Sequence, residues 1–140
     1  MKKSVSIAIA AVLMLGCVLA LTACVNSDFV GVYEMQDISG TVVSNGQTTT
    51  LDKSLYNFYT IELKADKTAV VKAQGAGAVG QSVETQATWT SEGNTIKLVS
   101  TVNGMSVVEE MTYADGILTF VSKQSAQGMT VEMTMTLKKQ

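Results

Sequence analysis

The side chains here with the most chemistry to offer are two thiols, Cys17 and Cys24, together with twelve carboxylates and eight methionines; histidine is absent. Without an imidazole, neither a Ser-His-Asp nor a Cys-His pair can be assembled, and the common histidine-based metal sites are excluded. No G-x-S-x-G elbow occurs, and no glycine-rich loop is followed by Lys and Ser or Thr. Paired carboxylates remain as a catalytic device, but no spacing marks a pair out. Met129, Met133 and Met135, with Met105 and Met111, would suit Cu(I) as soft thioether ligands. Alternation with polar residues already explains these methionines as core, where the thioether fills irregular space. The expectation is a noncatalytic protein with no metal and no cofactor.

The two cysteines lie in the first 24 residues. Lys2 and Lys3 precede an almost unbroken apolar run from Val5 to Leu21, and Thr22, Ala23 and Cys24 follow. That order of charged, apolar and small residues is the order of a secretory signal. A spanning helix needs about 20 apolar residues and usually a basic flank, and this run is short and ends in Cys-Val-Asn-Ser-Asp. Leu21-Thr22-Ala23-Cys24 resembles the bacterial lipobox. The resemblance implies cleavage between Ala23 and Cys24 and a diacylglyceryl group on the Cys24 thiol. Met14-Leu15-Gly16-Cys17 is the poorer match, and its use would leave the apolar stub 18–23 on the mature chain. Cys17 then departs with the signal, and no disulfide framework remains. Residues 1–23 are read as signal peptide, 24–28 as lipidated terminus and tether, and 29–140 as one domain. The expected address is extracytoplasmic, on the cell membrane, or on the outer membrane where the organism has two.

Beyond residue 23 the chain carries eight lysines against twelve acids, a net charge of about −4, and neither Arg nor Pro. An acidic surface without arginine argues against nucleic acid, whose phosphates demand cations.

Period-two alternation dominates this region and predicts half-buried strands separated by turns. Met129, Val131, Met133, Met135 and Leu137 share one face of the last segment. Tyr59, Ile61 and Leu63 do so before the turn at 65–67, and Thr68 to Ala73 returns as a partner strand. Val83, Ala87 and Trp89 do so before Gly93-Asn94, and Ile96 and Leu98 before Asn103-Gly104. Met105 to Tyr113, and then Leu118 and Phe120, complete the series. Asn-Gly and Asp-Gly pairs at 45–46, 103–104 and 115–116 are hairpin signals. Residues 29–35 are expected as a first strand and 41–51 as a second hairpin, with one helical turn within 52–57. Gly75 to Gly80 is expected as a flexible loop at a rim. Eight or nine such strands either close into a barrel or stack as a sandwich.

Candidate pocket residues are Tyr33, Tyr59, Trp89, Tyr113 and Phe120, which either line a pocket or fill a solid core. Glu109 shares parity with Val107, Met111 and Tyr113, so it points inward unless a bulge at Val107-Val108 turns it out or it sits at a wet rim.

The segments FVGVYEM, YTIELKADKTAVV, WTSEGNTIKL, MTYADGILTF and MTLKK, in that order, resemble the lipocalin-like domains of small bacterial lipoproteins. Val32-Tyr33 and Lys67 replace the Thr-Trp and Gly common there. The resemblance implies an antiparallel up-and-down β-barrel over residues 29–138. With the lipobox, the leading expectation is a membrane-anchored, noncatalytic module that binds a small apolar ligand, although the family itself implies a barrel more than a substrate. The alternative is a solid barrel that contacts an envelope protein.

Overall fold

The computed structural model describes residues 27–77 and 80–140; Cys17, Ala23 and Cys24 lie outside the described residues. A 3₁₀ turn at Ser27–Phe29 leads into β1 (Gly31–Ser44) and β2 (Gln47–Leu51), and a second 3₁₀ turn, Lys53–Leu55, precedes β3 (Tyr56–Leu63). Next come β4 (Thr68–Gly75), β5 (Val83–Glu92), β6 (Thr95–Val102), β7 (Met105–Ala114), β8 (Ile117–Ala126) and β9 (Met129–Lys139).

From β3 onward each strand pairs antiparallel with the next, and β9 returns to β1 from Tyr33↔Lys139 to Ser44↔Met129. Eight strands therefore close into an up-and-down barrel, which leaves no edge along most of its wall. The ninth, β2, lies outside this cycle and pairs with the end of β1, from Gly40↔Leu51 to Ser44↔Gln47. On the same side the start of β1 pairs with β3, from Gly31↔Leu63 to Glu34↔Thr60.

β1 corrects the sequence reading. The hairpin at 41–51 forms, with β2 as its second arm, but its first arm and the expected first strand are one continuous 14-residue strand, and Phe29 belongs to a 3₁₀ turn rather than to it. Alternation breaks between Met35 and Ile38, where a bulge sets Gln36 and Asp37 both outside. Such an extra residue bends a strand. Gly40, with φ of 144°, continues the bend where β9 passes closest. The helical turn expected within 52–57 is the 3₁₀ turn, capped by the Asp52 carboxylate, which accepts from the Ser54 backbone N–H at 2.8 Å. That bond and a second from the Ser54 hydroxyl hold the Asp52 pKa below its ordinary value.

The N-terminal turn caps one end of the barrel. Phe29 is buried, and its ring meets Tyr113 edge-on at 4.9 Å and Trp89 at 6.4 Å between centroids. Tyr33 donates its hydroxyl to the Phe29 carbonyl at 2.8 Å, and Lys139 Nζ donates to the Asp28 carbonyl at 2.8 Å. Around this plug Leu63, Ile96, Leu98, Leu118 and Leu137 are fully buried. The first half of the interior is thus solid protein.

Candidate functional site

Along each strand, inward residues change character with distance from the plug. On β6 and β7 the paired inward positions are Ile96↔Met111, Leu98↔Glu109, Ser100↔Val107 and Val102↔Met105. Ile96, Leu98 and Met111 are buried, whereas Val102 and Met105 are exposed. The barrel is therefore filled at one end and open at the other. Turns 45–46, 103–104 and 127–128 and the loop after Gly75 surround the mouth.

The open half contains a recess of about 160 Å³ lined by Tyr59, Val71, Thr85, Leu98, Val107 and Glu109, with Ser100 and Val102 above. Below it, Tyr59 and Glu109 also border a gap of only about 10 Å³ against Met111, Phe120 and Met135. Glu109 and Tyr59 thus stand at the floor of the cup, where the solid core begins.

Tertiary packing divides the aromatic set. Tyr59, Glu109 and Phe120 are brought together at the cup floor. Tyr33 and Trp89 are instead buried in the plugged half, and Tyr113 packs edge-on against Phe29 and Tyr33 there. These three serve the closed end and face no cup, which corrects their candidacy as lining. Tyr33, desolvated and near Tyr113 and Asp28, has its hydroxyl pKa pushed up to about 12. The residues that sequence reasoning missed are Val71, Thr85, Ser100 and Val107. Only their inward parity marked them, because small or β-branched residues look the same in a core and in a cup wall.

Glu109 faces inward. The β6–β7 register runs unbroken from Thr95↔Thr112 to Val102↔Met105, so the bulge at Val107-Val108 is absent. Its neighbour Glu110 faces out and pairs with Lys97 at 3.2 Å. Among the described residues the other ion pairs are Lys72–Glu84 and Lys123–Glu132. Among the described residues no lysine pairs with Glu109. Partial burial raises its pKa above the ordinary 4.5, and its charge in turn helps to raise that of the desolvated Tyr59. Tyr59 is the titratable group facing it from β3. Val71, Thr85, Leu98, Ser100, Phe120 and Met135, from the other strands, carry no charge.

A carboxyl group whose pKa is raised on folding binds its proton more tightly in the folded state. Its stabilising contribution is complete below the unfolded value and is lost as pH rises through the folded value. Glu109→Gln should therefore raise the melting temperature at pH 7, with the gain disappearing as pH falls toward the ordinary carboxylate range. Thermal unfolding across that range checks this; a variant no more stable than the parent at pH 7 would remove the uncompensated charge.

The β7–β8 register covers only Met111↔Phe120 to Ala114↔Ile117. Toward the mouth, from Glu110 to Met105, β7 is not paired with β8. The rim is apolar and exposed, with Val83 at 65 %, Met105 at 69 % and Met129 at 46 %. Met129 thus shares its strand's inward parity without being core, which corrects that part of the C-terminal reading. The methionines are spread over the depth of the barrel, Met111 and Met135 being buried and Met105 exposed. Among the described residues no three His, Cys, Asp or Glu side chains converge to hold a metal ion.

No family model matches the chain, and no curated protein matches it. Among solved structures it is similar to a redesigned β-barrel, with 20 % identity, a TM-score of 0.47, and coverage of 81 % of this chain and 93 % of that one.

Proposed function

We propose that this protein is a membrane-anchored, extracytoplasmic, noncatalytic binding module whose open half-barrel takes a small, mainly apolar molecule. The observation that carries the reading is the unfilled half of the barrel, a recess of about 160 Å³ with mainly apolar walls. Binding sites are typically concave, mostly apolar and provided with a few polar groups. Thr85, Ser100 and Glu109 supply the polar groups.

The anchor rests on Leu21-Thr22-Ala23-Cys24. A lipidated Cys24 would lie three residues from the 3₁₀ turn at Ser27, a reach of at most about 11 Å at roughly 3.6 Å per residue. That turn is on the plugged end. The mouth therefore faces away from the bilayer, toward molecules arriving from the extracytoplasmic side. Two or more acyl chains would make attachment stable.

Native mass spectrometry of the protein extracted from its membrane tests the binding reading. The expected result is a retained small molecule, or a mass shift with members of a panel of apolar metabolites. An unaltered apo mass against the whole panel would overturn it. Cys24→Ser should abolish acylation and release any chain still cleaved, whereas Cys17→Ser should change neither; fractionation and intact mass measure both. The exposed Val83, Met105 and Met129 favour a second reading, in which an envelope protein docks on the mouth. A protein retained there, lost in a Met105→Ser variant, would support that reading instead.

A further inference from the structure

We propose that the cup recognises a ligand bearing a protonated amine on an apolar body, the amine entering first and resting between the Glu109 carboxylate and the Tyr59 ring. This deepens the reading of the cup as an apolar binding site and depends on it.

Four observations converge. Among the described residues, Glu109 is the only charged side chain lining either the cup or the gap beneath it. Three outward acids, Glu84, Glu110 and Glu132, pair with a lysine across the sheet, at 3.4, 3.2 and 2.5 Å, whereas among the described residues no lysine pairs with Glu109. A carboxylate covered by a ligand is costly unless that ligand brings the opposite charge and hydrogen-bond donors. An ammonium group supplies both.

Tyr59 provides the second element. Its ring lines the floor with Glu109 and stacks edge-on with Tyr56 at 5.6 Å between centroids. An aromatic face beside a carboxylate attracts organic cations through the ring quadrupole as well as through charge. The Thr85 and Ser100 hydroxyls on the wall offer acceptors for the remaining N–H groups.

The walls and dimensions define the rest of the ligand. Val71, Leu98, Val102 and Val107 face the space above Glu109, so the body must be apolar. From Glu109 to Met105 the strand advances about 14 Å at roughly 3.4 Å per residue, and strand tilt shortens this to about 10 Å along the axis. A short alkyl or arylalkyl amine matches that depth. One carboxylate is too few for a divalent metal ion, which takes several oxygen ligands. A ligand carboxylate would meet Glu109 as a like charge.

The test uses the full chain in lipid nanodiscs, with empty discs as reference. Three water-soluble probes of one shape are compared: 4-phenylbutylamine, 4-phenylbutanol and 4-phenylbutanoate. Ligand-observed NMR titration at pH 7 should give an amine Kd at least tenfold below that of the alcohol, with the carboxylate weakest. Glu109→Gln should bring the amine to the level of the alcohol. Glu110→Gln, which alters the adjacent outward acid, should preserve the preference. Equal binding of all three probes, or an amine preference that survives Glu109→Gln, would overturn the amine assignment and leave the apolar cup standing. Binding of none would overturn both readings.

Discussion

Gly40→Ala is expected to destabilise the barrel by about 3–5 kcal/mol, a large share of the roughly 5–15 kcal/mol available to a domain. A β-carbon at this position would lie 2.0 Å from the Glu132 carbonyl oxygen, and 2.9 Å from both the Glu132 carbonyl carbon and the Met133 α-carbon. All three are backbone atoms of β9, so no rotamer change relieves the clash. The backbone φ of 144° is itself one that residues with a β-carbon rarely adopt. Relief would require β1 to separate from β9 within the register that closes the barrel, where Gly40 faces Met133. Gly46→Ala is the control: its φ is 76°, yet nothing lies within 4 Å of an added β-carbon. That variant should lose only about 1 kcal/mol. Urea unfolding of both separates the effects; equal losses would mean that the close strand crossing does not constrain the fold.

Trp89→Ala should be of similar size, about 3–5 kcal/mol, with a melting temperature lower by roughly 15 °C or more. Trp89 is only 1 % exposed, and three kinds of interaction meet there. Its indole N–H donates to the Lys64 carbonyl at 2.9 Å, and its backbone N–H donates to the Lys67 carbonyl at 2.8 Å. The Lys67 ammonium lies 3.8 Å from the ring centroid, and Phe29 meets the ring edge-on. Truncation would leave a cavity in the plug and remove one of the two hydrogen bonds that the Lys64 carbonyl accepts, the other coming from the Lys67 N–H at 3.1 Å. Trp89→Phe should recover part of the loss, because it keeps an aromatic ring against Phe29 but no N–H donor. Calorimetry of both variants checks the order. Since Trp89 is the single tryptophan, its fluorescence in the parent chain reports the integrity of the plug. The cup lies in the other half, so ligand binding should alter that signal little.

Much of the wall was legible in the order of residues. Alternation across Tyr59-Ile61-Leu63, Ala87-Trp89, Ile96-Leu98 and Met133-Met135-Leu137 assigned inward faces correctly, because side chains on a strand alternate with a period of two. The hairpins at Asn45-Gly46, Asn103-Gly104 and Asp115-Gly116 were visible for a related reason: both central residues sit at positive φ, which few residue types tolerate. The address read from Leu21 to Cys24 is likewise a matter of local order, and it stands as a proposal tested by Cys24→Ser.

Depth was not legible. A period of two says which side of the sheet a residue occupies, not how far along the barrel axis it lies. Only the registers, the closure of β9 onto β1 and the turn that seats Phe29 decide that. They send Tyr33, Trp89 and Tyr113 to the plug, and Tyr59, Glu109 and Phe120 to the floor of the cup, although all six share inward parity. The bulge at Met35–Asp37 and the tight crossing at Gly40 are equally nonlocal, since each answers to a partner strand about a hundred residues away in the chain. Local sequence therefore specified strands, faces and turns. Long-range pairing decided which inward faces became solid core and which line the open half of the barrel.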